Sequence, residues 1–331
     1  MPKYLLLGAG FSRNWGGWLA AEVFEWLLGH PSIRSDAALR SLLWKHQQNG
    51  NGFEAALSEV QASAASNPQS HQSSLDAFQA AINAMFDEMN NALHVSDFDF
   101  SNQIDQTTRS LLVRFDAIFT LNQDTLLEHA YCNDNVGLAN PQKWSNACLP
   151  GMIKHSCSDT GQQSSWAHWQ WKSPEDGKIQ FGKKEQPIYK LHGSSNWHDS
   201  KGSSLLVMGG SKSFAIDASP ILKAYAAAFE AALCAGDAKL MIIGYGFRDQ
   251  HINDAIVRGT QKGLSLFNIA PQGSSAATYA NPQKQGAIKG KDSELEIAFQ
   301  SSLAGASRRT LREIFGSDVV ERRKVLRFLE D

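Results

Sequence analysis

Five short, strongly apolar runs punctuate the chain, at residues 4–7, 117–121, 188–191, 240–243 and 264–269. Each has the length of a strand, and most lack polar alternation. That pattern belongs to strands covered on both faces by helices in a parallel sheet. Several runs end at or beside residues with chemical potential: Gly8, Asn122, His192, Gly244 and Asn268. Ligands of open parallel sheets bind beyond the carboxyl ends of the strands, so these residues are expected to converge on one site.

Between the first two runs, residues 18–115 read as a large, mostly helical insertion. Leu75, Phe78, Ile82, Met85, Met89 and Leu93 recur at spacings of three and four, an amphipathic helix whose stripe packs the core. Residues 61–74, rich in Ser, Ala, Gln and Asn, read as a loop. A second helix is expected over 221–235, with Leu222, Tyr225, Phe229 and Leu233 on one face and Gly236 as its stop. A third begins with Asp249 as N-cap and ends at Gly263. Residues 133–186 carry Trp144, Trp166, Trp169 and Trp171 with little period of either kind. They read as an irregular excursion on the site side of the sheet, where the tryptophans either pack locally or cover a ligand or partner. After a domain over 1–270, residues 271–331 read as a Gly/Ser/Gln/Lys-rich linker and a helical tail. The fold class expected is α/β: a Rossmann-like parallel sheet flanked by helices, with a large helical insertion between the first two strands.

Composition narrows the partners. The chain has 331 residues, 42% of them apolar, enough for a substantial core. A net charge of −2 supplies no global basic field for nucleic acid. The cysteines are Cys132, Cys148, Cys157 and Cys234; without a C-x-x-C pair they form no disulfide framework, and a reduced setting is expected. The apolar run after Lys3 is too short for a signal segment. No run approaches the ~20 residues needed to span a bilayer. The expectation is a cytoplasmic protein without membrane contact. Near the end, Arg308, Arg309, Arg312, Arg322, Arg323, Lys324 and Arg327 form either a solvated helix face or a docking element for a partner or for self-assembly.

Chemistry concentrates where the runs stop. Gly8-Ala9-Gly10-Phe11-Ser12 is a strand-to-helix turn of the type that aims backbone N–H groups at a pyrophosphate. Arg13 stands where a third glycine is usual, and no acidic residue follows a second strand some twenty positions on. Thr120-Leu121-Asn122-Gln123-Asp124 places an amide and a carboxylate two residues apart, pointing the same way if the chain stays extended. Asp124 serves there either as ligand contact or as helix cap. His192, between Leu191 and Gly193, sits where a general base is useful, or is a structural histidine. Gly244-Tyr245-Gly246-Phe247 opens another strand end into glycines, and Asn268 offers an amide to a ribose or base edge.

In this order and spacing, the Gly-Ala-Gly-x-Ser turn, the T-x-N-x-D strand end, the L-H-G strand end and the later glycine strand end resemble the sirtuin fold. More narrowly, Ser194 to Trp197 and the G-Y-x-F-x-D run from Gly244 to Asp249 resemble a bacterial sirtuin-like group associated with antiphage defence. The resemblance implies an NAD site. Gly8, Ala9, Gly10 and Ser12, with Phe11 inside the turn, match the pyrophosphate-binding segment. Thr120 opens the second motif, Asn122 matches the asparagine near the nicotinamide ribose, and Asp124 the aspartate near the nicotinamide amide. His192 matches the catalytic histidine, while Gly244, Tyr245, Gly246, Phe247 and Asn268 match the adenosine side.

Departures from the family pattern change the expected activity. Sirtuin deacylases have glutamine at the position of Leu121, and two C-x-x-C pairs after the histidine that bind zinc and shape the peptide cleft. Here only Cys234 follows His192, so a cysteine zinc site there is impossible. Cys148, His155 and Cys157 have an unusual spacing and precede the histidine; no metal is expected. Without an acyl-lysine cleft, the implied acceptor is water. The expected activity is hydrolysis of NAD to nicotinamide and ADP-ribose, with Asn122 and His192 as the catalytic pair. Gating by oligomerisation or by a separately encoded partner is implied, since an ungated NAD hydrolase drains its own cell. The alternatives are an NAD-dependent deacylase and a non-catalytic NAD or ADP-ribose binding subunit.

Overall fold

The computed structural model describes residues 1–103, 106–132, 143–157, 168–210, 212–284 and 290–330. The strands are β1 (Lys3–Leu7), β2 (Ala117–Thr120), β3 (Asn146–Cys148), β4 (Ile153–Cys157), β5 (Trp169–Lys172), β6 (Glu185–Lys190), β7 (Gly193–His198), β8 (Ser204–Leu206), β9 (Lys239–Ile243), β10 (Ser265–Ile269) and β11 (Leu303–Ser307). Among the described residues, seven form one sheet in the order β11-β10-β9-β1-β2-β6-β3. Every pairing in it is parallel. Leu5, Leu6, Leu7, Ile118, Ile188, Leu240, Met241 and Ile242 are fully buried, as strands covered on both faces require. The direction of winding reverses between β1 and β9, and open sheets of this kind bind ligands at that reversal.

The insertion between β1 and β2 is helical. After the short α1 (Ala9–Ser12) come α2 (Ala20–Gly29), α3 (Pro31–Arg34), α4 (Ala37–Gln48), α5 (Gly52–Ser66), α6 (Pro68–His94) and α7 (Thr108–Leu112). The apolar stripe of α6 packs as expected: Phe78, Ile82, Met85, Met89 and Leu93 are all buried. The loop expected over 61–74 is replaced by the end of α5 and the start of α6. Its alanines are the best helix formers. Pro68 occupies the first turn of α6, where a missing N–H costs nothing.

Further along lie α8 (Leu126–Ala130), α9 (Lys212–Ala218), α10 (Pro220–Leu233), α11 (Gln250–Thr260), α12 (Ala276–Ala280), α13 (Glu294–Ser302), α14 (Leu311–Gly316) and α15 (Val319–Glu330). The helices expected near 221–235 and after Asp249 are α10 and α11. Leu222, Tyr225, Phe229 and Leu233 are buried together on the first.

Two stretches differ from expectation. The excursion at 133–186 is not wholly irregular: it supplies β3, β4, β5 and the start of β6. β4, β5, β7 and β8 build a second, four-stranded sheet, in which Trp171 of β5 pairs in register with Trp197 of β7. Strands β3, β4 and β5 are three to five residues long and find partners far along the chain, so no local period announces them. Trp166 lies outside the described residues. The segment after 270 holds more than linker and tail, because β11 extends the main sheet beside β10. Its Leu-Ala-Gly-Ala-Ser sequence lacks a strand signature; a Cβ on Gly305 would come within 2.6 Å of the Phe267 ring, so a small residue is needed there.

Candidate active site

Three glycines from two strand ends meet at the reversal of the sheet. Gly8 N–H donates to the Ile243 carbonyl at 3.0 Å, and Gly10 N–H donates to the Gly244 carbonyl at 2.9 Å. A Cβ on Gly8 would lie 2.7 Å from the Gly244 oxygen, and one on Gly10 the same distance from the Gly244 Cα. Gly244 itself has φ +67°, and a side chain there would meet Gly10 at 2.3 Å. The turn therefore needs glycine for close approach of two backbones. Only Gly244 of the three needs it for conformation as well.

The short α1 carries Ser12 to the carboxyl end of β2. Asn122 Nδ2 donates to Ser12 Oγ at 3.0 Å, and that hydroxyl donates to Asp124 Oδ2 at 2.8 Å. All three side chains are buried. Thr120 Oγ1 accepts from the Asn122 N–H, which turns the strand end inward. Asp124 Oδ1 also accepts from the Leu126 N–H at the start of α8, the helix-end role foreseen for it. Asn122 Oδ1 has no hydrogen-bond partner and is buried. A buried acceptor without a partner is costly, and it is free to accept one further hydrogen bond.

His192 follows β6, the neighbour of β2. The register pairs Thr120 with Lys190, so Asn122 and His192 stand at equivalent positions two residues beyond adjacent strand ends. Adjacent strands lie about 4.8 Å apart. Gly193, at φ +71°, turns the chain out of the main sheet and into β7 of the second; a Cβ there would strike the Leu205 carbonyl at 1.9 Å. The His192 carbonyl accepts from the Val207 N–H and from Gln123 Nε2, which also bonds the Val207 carbonyl. Below the site, the fully buried Lys190 donates to the Asp124 carbonyl and to Glu128 Oε1, each at 2.6 Å.

His192 is 3% exposed, and its Nε2 lies 3.1 Å from Nε2 of His251 on α11. Burial lowers its pKa to about 3, with Lys212 and His251 acting in the same direction against Asp249. The ring is therefore neutral at physiological pH. Lys212 bridges Glu54 of the helical insertion and Asp249, both at 2.8 Å. Burial opposes the charge on Lys212, but the two carboxylates raise its pKa above the ordinary value.

The remaining expected residues lie differently. Phe11 is buried against Trp15 and Phe98, and packs the core beneath the turn. Tyr245 and Phe247 are buried too. The Tyr245 hydroxyl bonds Asn253 and the Asp249 backbone, and Phe247 meets Phe299 edge-on. They shape the loop after β9, while Gly246 faces open space. Asn268 is fully buried; its Nδ2 donates to the Gly273 carbonyl and its Oδ1 has no hydrogen-bond partner. Sequence reasoning missed Gln123, Glu54, Lys212 and His251. His251 had a signal, two residues after Asp249 in a motif already singled out. Glu54 and Lys212 had none, being joined only by the fold.

A Rossmann-like α/β protein with a polar, partly unsatisfied cluster at the carboxyl ends of its central strands is the class that fold and site define. A family model described as a SIR2-like domain matches residues 116–286, just over half of the chain, and the chain belongs to that family. No curated protein matches it. A solved structure titled as a Sir2 homolog–NAD complex is similar at 14% identity and a TM-score of 0.40, covering 98% of this chain and 90% of that one. Among the described residues no helix is long and apolar enough to cross a membrane, and no group of three or more His, Cys, Asp or Glu is gathered to hold a metal ion.

Proposed function

We propose that the protein cleaves the nicotinamide–ribose bond of NAD with water, giving nicotinamide and ADP-ribose. The observation that carries this reading is the pairing of Asn122 and His192 at adjacent strand ends, the first with an unsatisfied buried acceptor and the second a neutral base. The bond breaks with positive charge developing on the ribose carbon. A carboxamide oxygen facing that region accepts a hydrogen bond from the ribose or from the attacking water, and orients it. Neutral His192 takes the proton from that oxygen as the new C–O bond forms. The electron pair of the broken bond leaves with nicotinamide. Ser12 holds Asn122 in place and is itself held by Asp124, which the sequence resemblance assigns to the nicotinamide amide.

The sequence resemblance supports a narrower reading, an effector that depletes NAD in antiphage defence. Its activity would be gated by oligomerisation or by a protein partner. Incubation of the purified protein with NAD, followed by chromatography, tests the chemistry. Nicotinamide and ADP-ribose are expected in equal amounts. His192→Ala and Asn122→Ala are each expected to lose at least about 100-fold in rate, the lower range for a positioned general base. Wild-type turnover by both variants overturns the assignment. Stimulation by an acylated peptide would point to deacylation instead, and saturable binding without turnover to a binding subunit.

A further inference from the structure

We propose that His251 is a positioning residue for His192, fixing its tautomer and carrying its proton to solvent. This rests on the NAD-hydrolysing reading of the site. Two ring nitrogens 3.1 Å apart make a hydrogen bond only when one carries a proton and the other a lone pair. The state of either ring therefore dictates that of the other.

The chemistry of the site needs such an outlet. Hydrolysis of NAD releases one proton: water loses it as its oxygen bonds to the ribose carbon and neutral nicotinamide departs. His192 is the acceptor, but it is buried, and burial strongly disfavours charge on its ring. A proton that arrives there has to leave. His251 is half-buried at the start of α11, so it joins the enclosed ring to the surface. His192 takes the proton at Nδ1 while its Nε2 proton passes to Nε2 of His251; His251 gives up its Nδ1 proton to water, and both rings are neutral again, their resting tautomers restored by proton exchange with water.

Burial lowers the pKa of His251 as well, so a proton that reaches it passes on to water. Asp249 faces both imidazoles, and Asp254 on α11 works against that lowering at His251. Lys212 adds to the lowering, but its charge is held by Glu54 and Asp249 together. The half-buried ring of His251 is therefore a short-lived station for the proton between enclosed His192 and solvent.

The test uses the full chain with His251→Ala and His251→Gln. We expect kcat for nicotinamide release to fall roughly 10- to 100-fold with KM within about 2-fold, a smaller effect than loss of the base itself. Added imidazole should restore much of the rate of His251→Ala, because a half-open site admits a small base. Histidine-labelled protein gives a readout independent of turnover. The ring nitrogens of His192, assigned by comparison with His192→Ala, should show one tautomer in wild type and a mixture in His251→Ala. Unchanged kcat overturns the relay, and so does a loss of rate that imidazole does not repair with the His192 tautomer unaltered. If wild type releases no more nicotinamide than His192→Ala, the hydrolase reading falls, and the ring signals alone decide the pairing.

Discussion

Asn122 and Ser12, 110 residues apart, share a hydrogen bond of 3.0 Å beneath the carboxyl ends of β1 and β2. Through the Ser12 hydroxyl the carboxamide is tied to Asp124, so one small side chain on α1 links both polar groups that follow β2. With Nδ2 held in this way, Oδ1 is the end of the amide left without a partner.

Ser12→Ala should therefore let the Asn122 amide rotate while leaving the fold in place. Nicotinamide release is expected to fall about 10-fold or more. The melting temperature should drop only by the equivalent of about 1–2 kcal/mol, the loss of buried hydrogen bonds. Steady-state kinetics beside thermal melting check both. Wild-type kcat in a well-folded Ser12→Ala protein would remove Ser12 from the site.

The glycines after β9 should separate sharply. A Cβ on Gly244 collides with the backbone of Gly10 and Phe11 at 2.3 Å, and the residue is already at φ +67°. Gly244→Ala should fail to give soluble folded protein, or melt far below wild type. A Cβ on Gly246 would meet nothing within 4 Å, so Gly246→Ala should stay within about 0.5 kcal/mol of wild type. Equal melting temperatures for the two variants would contradict this packing.

Stability should decline on mild acidification. Burial lowers the pKa of His192 to about 3 and that of His94 to about 4, with His129 and His168 adding to the latter. Both folded values lie below the unfolded value of about 6.5, so the unfolded chain binds protons that the folded chain refuses. Their contribution is fully present above pH 6.5 and is lost as pH falls toward 4 and then 3. Urea midpoints measured from pH 7.5 to 4.5 should fall steadily, and His192→Gln should flatten the curve. A flat wild-type profile would count against the buried neutral state.

The Lys190–Glu128 pair tests the floor of the site. Both side chains are enclosed, so Glu128→Ala strands a buried ammonium and should cost about 3–5 kcal/mol. Replacing both together, as Lys190→Met with Glu128→Leu, should recover much of that loss. Nicotinamide release should remain impaired, because the lysine also holds the Asp124 carbonyl. Denaturant unfolding of single and double variants reads the difference. An additive double variant would rule out a coupled pair.

Much of the fold was legible because its strands are buried on both faces. Continuous apolar runs such as Leu5-Leu6-Leu7 and Leu240-Met241-Ile242 give themselves away without any knowledge of their neighbours. The edge strand β11 and the second sheet were not legible. Ala304, Gly305 and Ala306 carry little apolar surface, and β4 and β5 depend on partners that only the folded chain brings alongside. The Ser- and Ala-rich stretch at the end of α5 misled for another reason: its serines suit a loop, but its alanines favour the helix.

By itself, the sequence determined that glycines, an asparagine and a histidine each stand at the end of a buried strand. Parallel pairing then brings such ends to one edge of the sheet, so their convergence follows from local pattern. Only the tertiary structure decided what each residue touches there. It set Gly8 and Gly10 against Gly244, turned Phe11, Tyr245 and Phe247 into the core, and enclosed His192 behind His251. It also placed Lys212 between Glu54 and Asp249. Those contacts depend on strand order and on the path of a long insertion. Apolar periodicity records which face of an element is buried, and it carries no information about which distant element buries it.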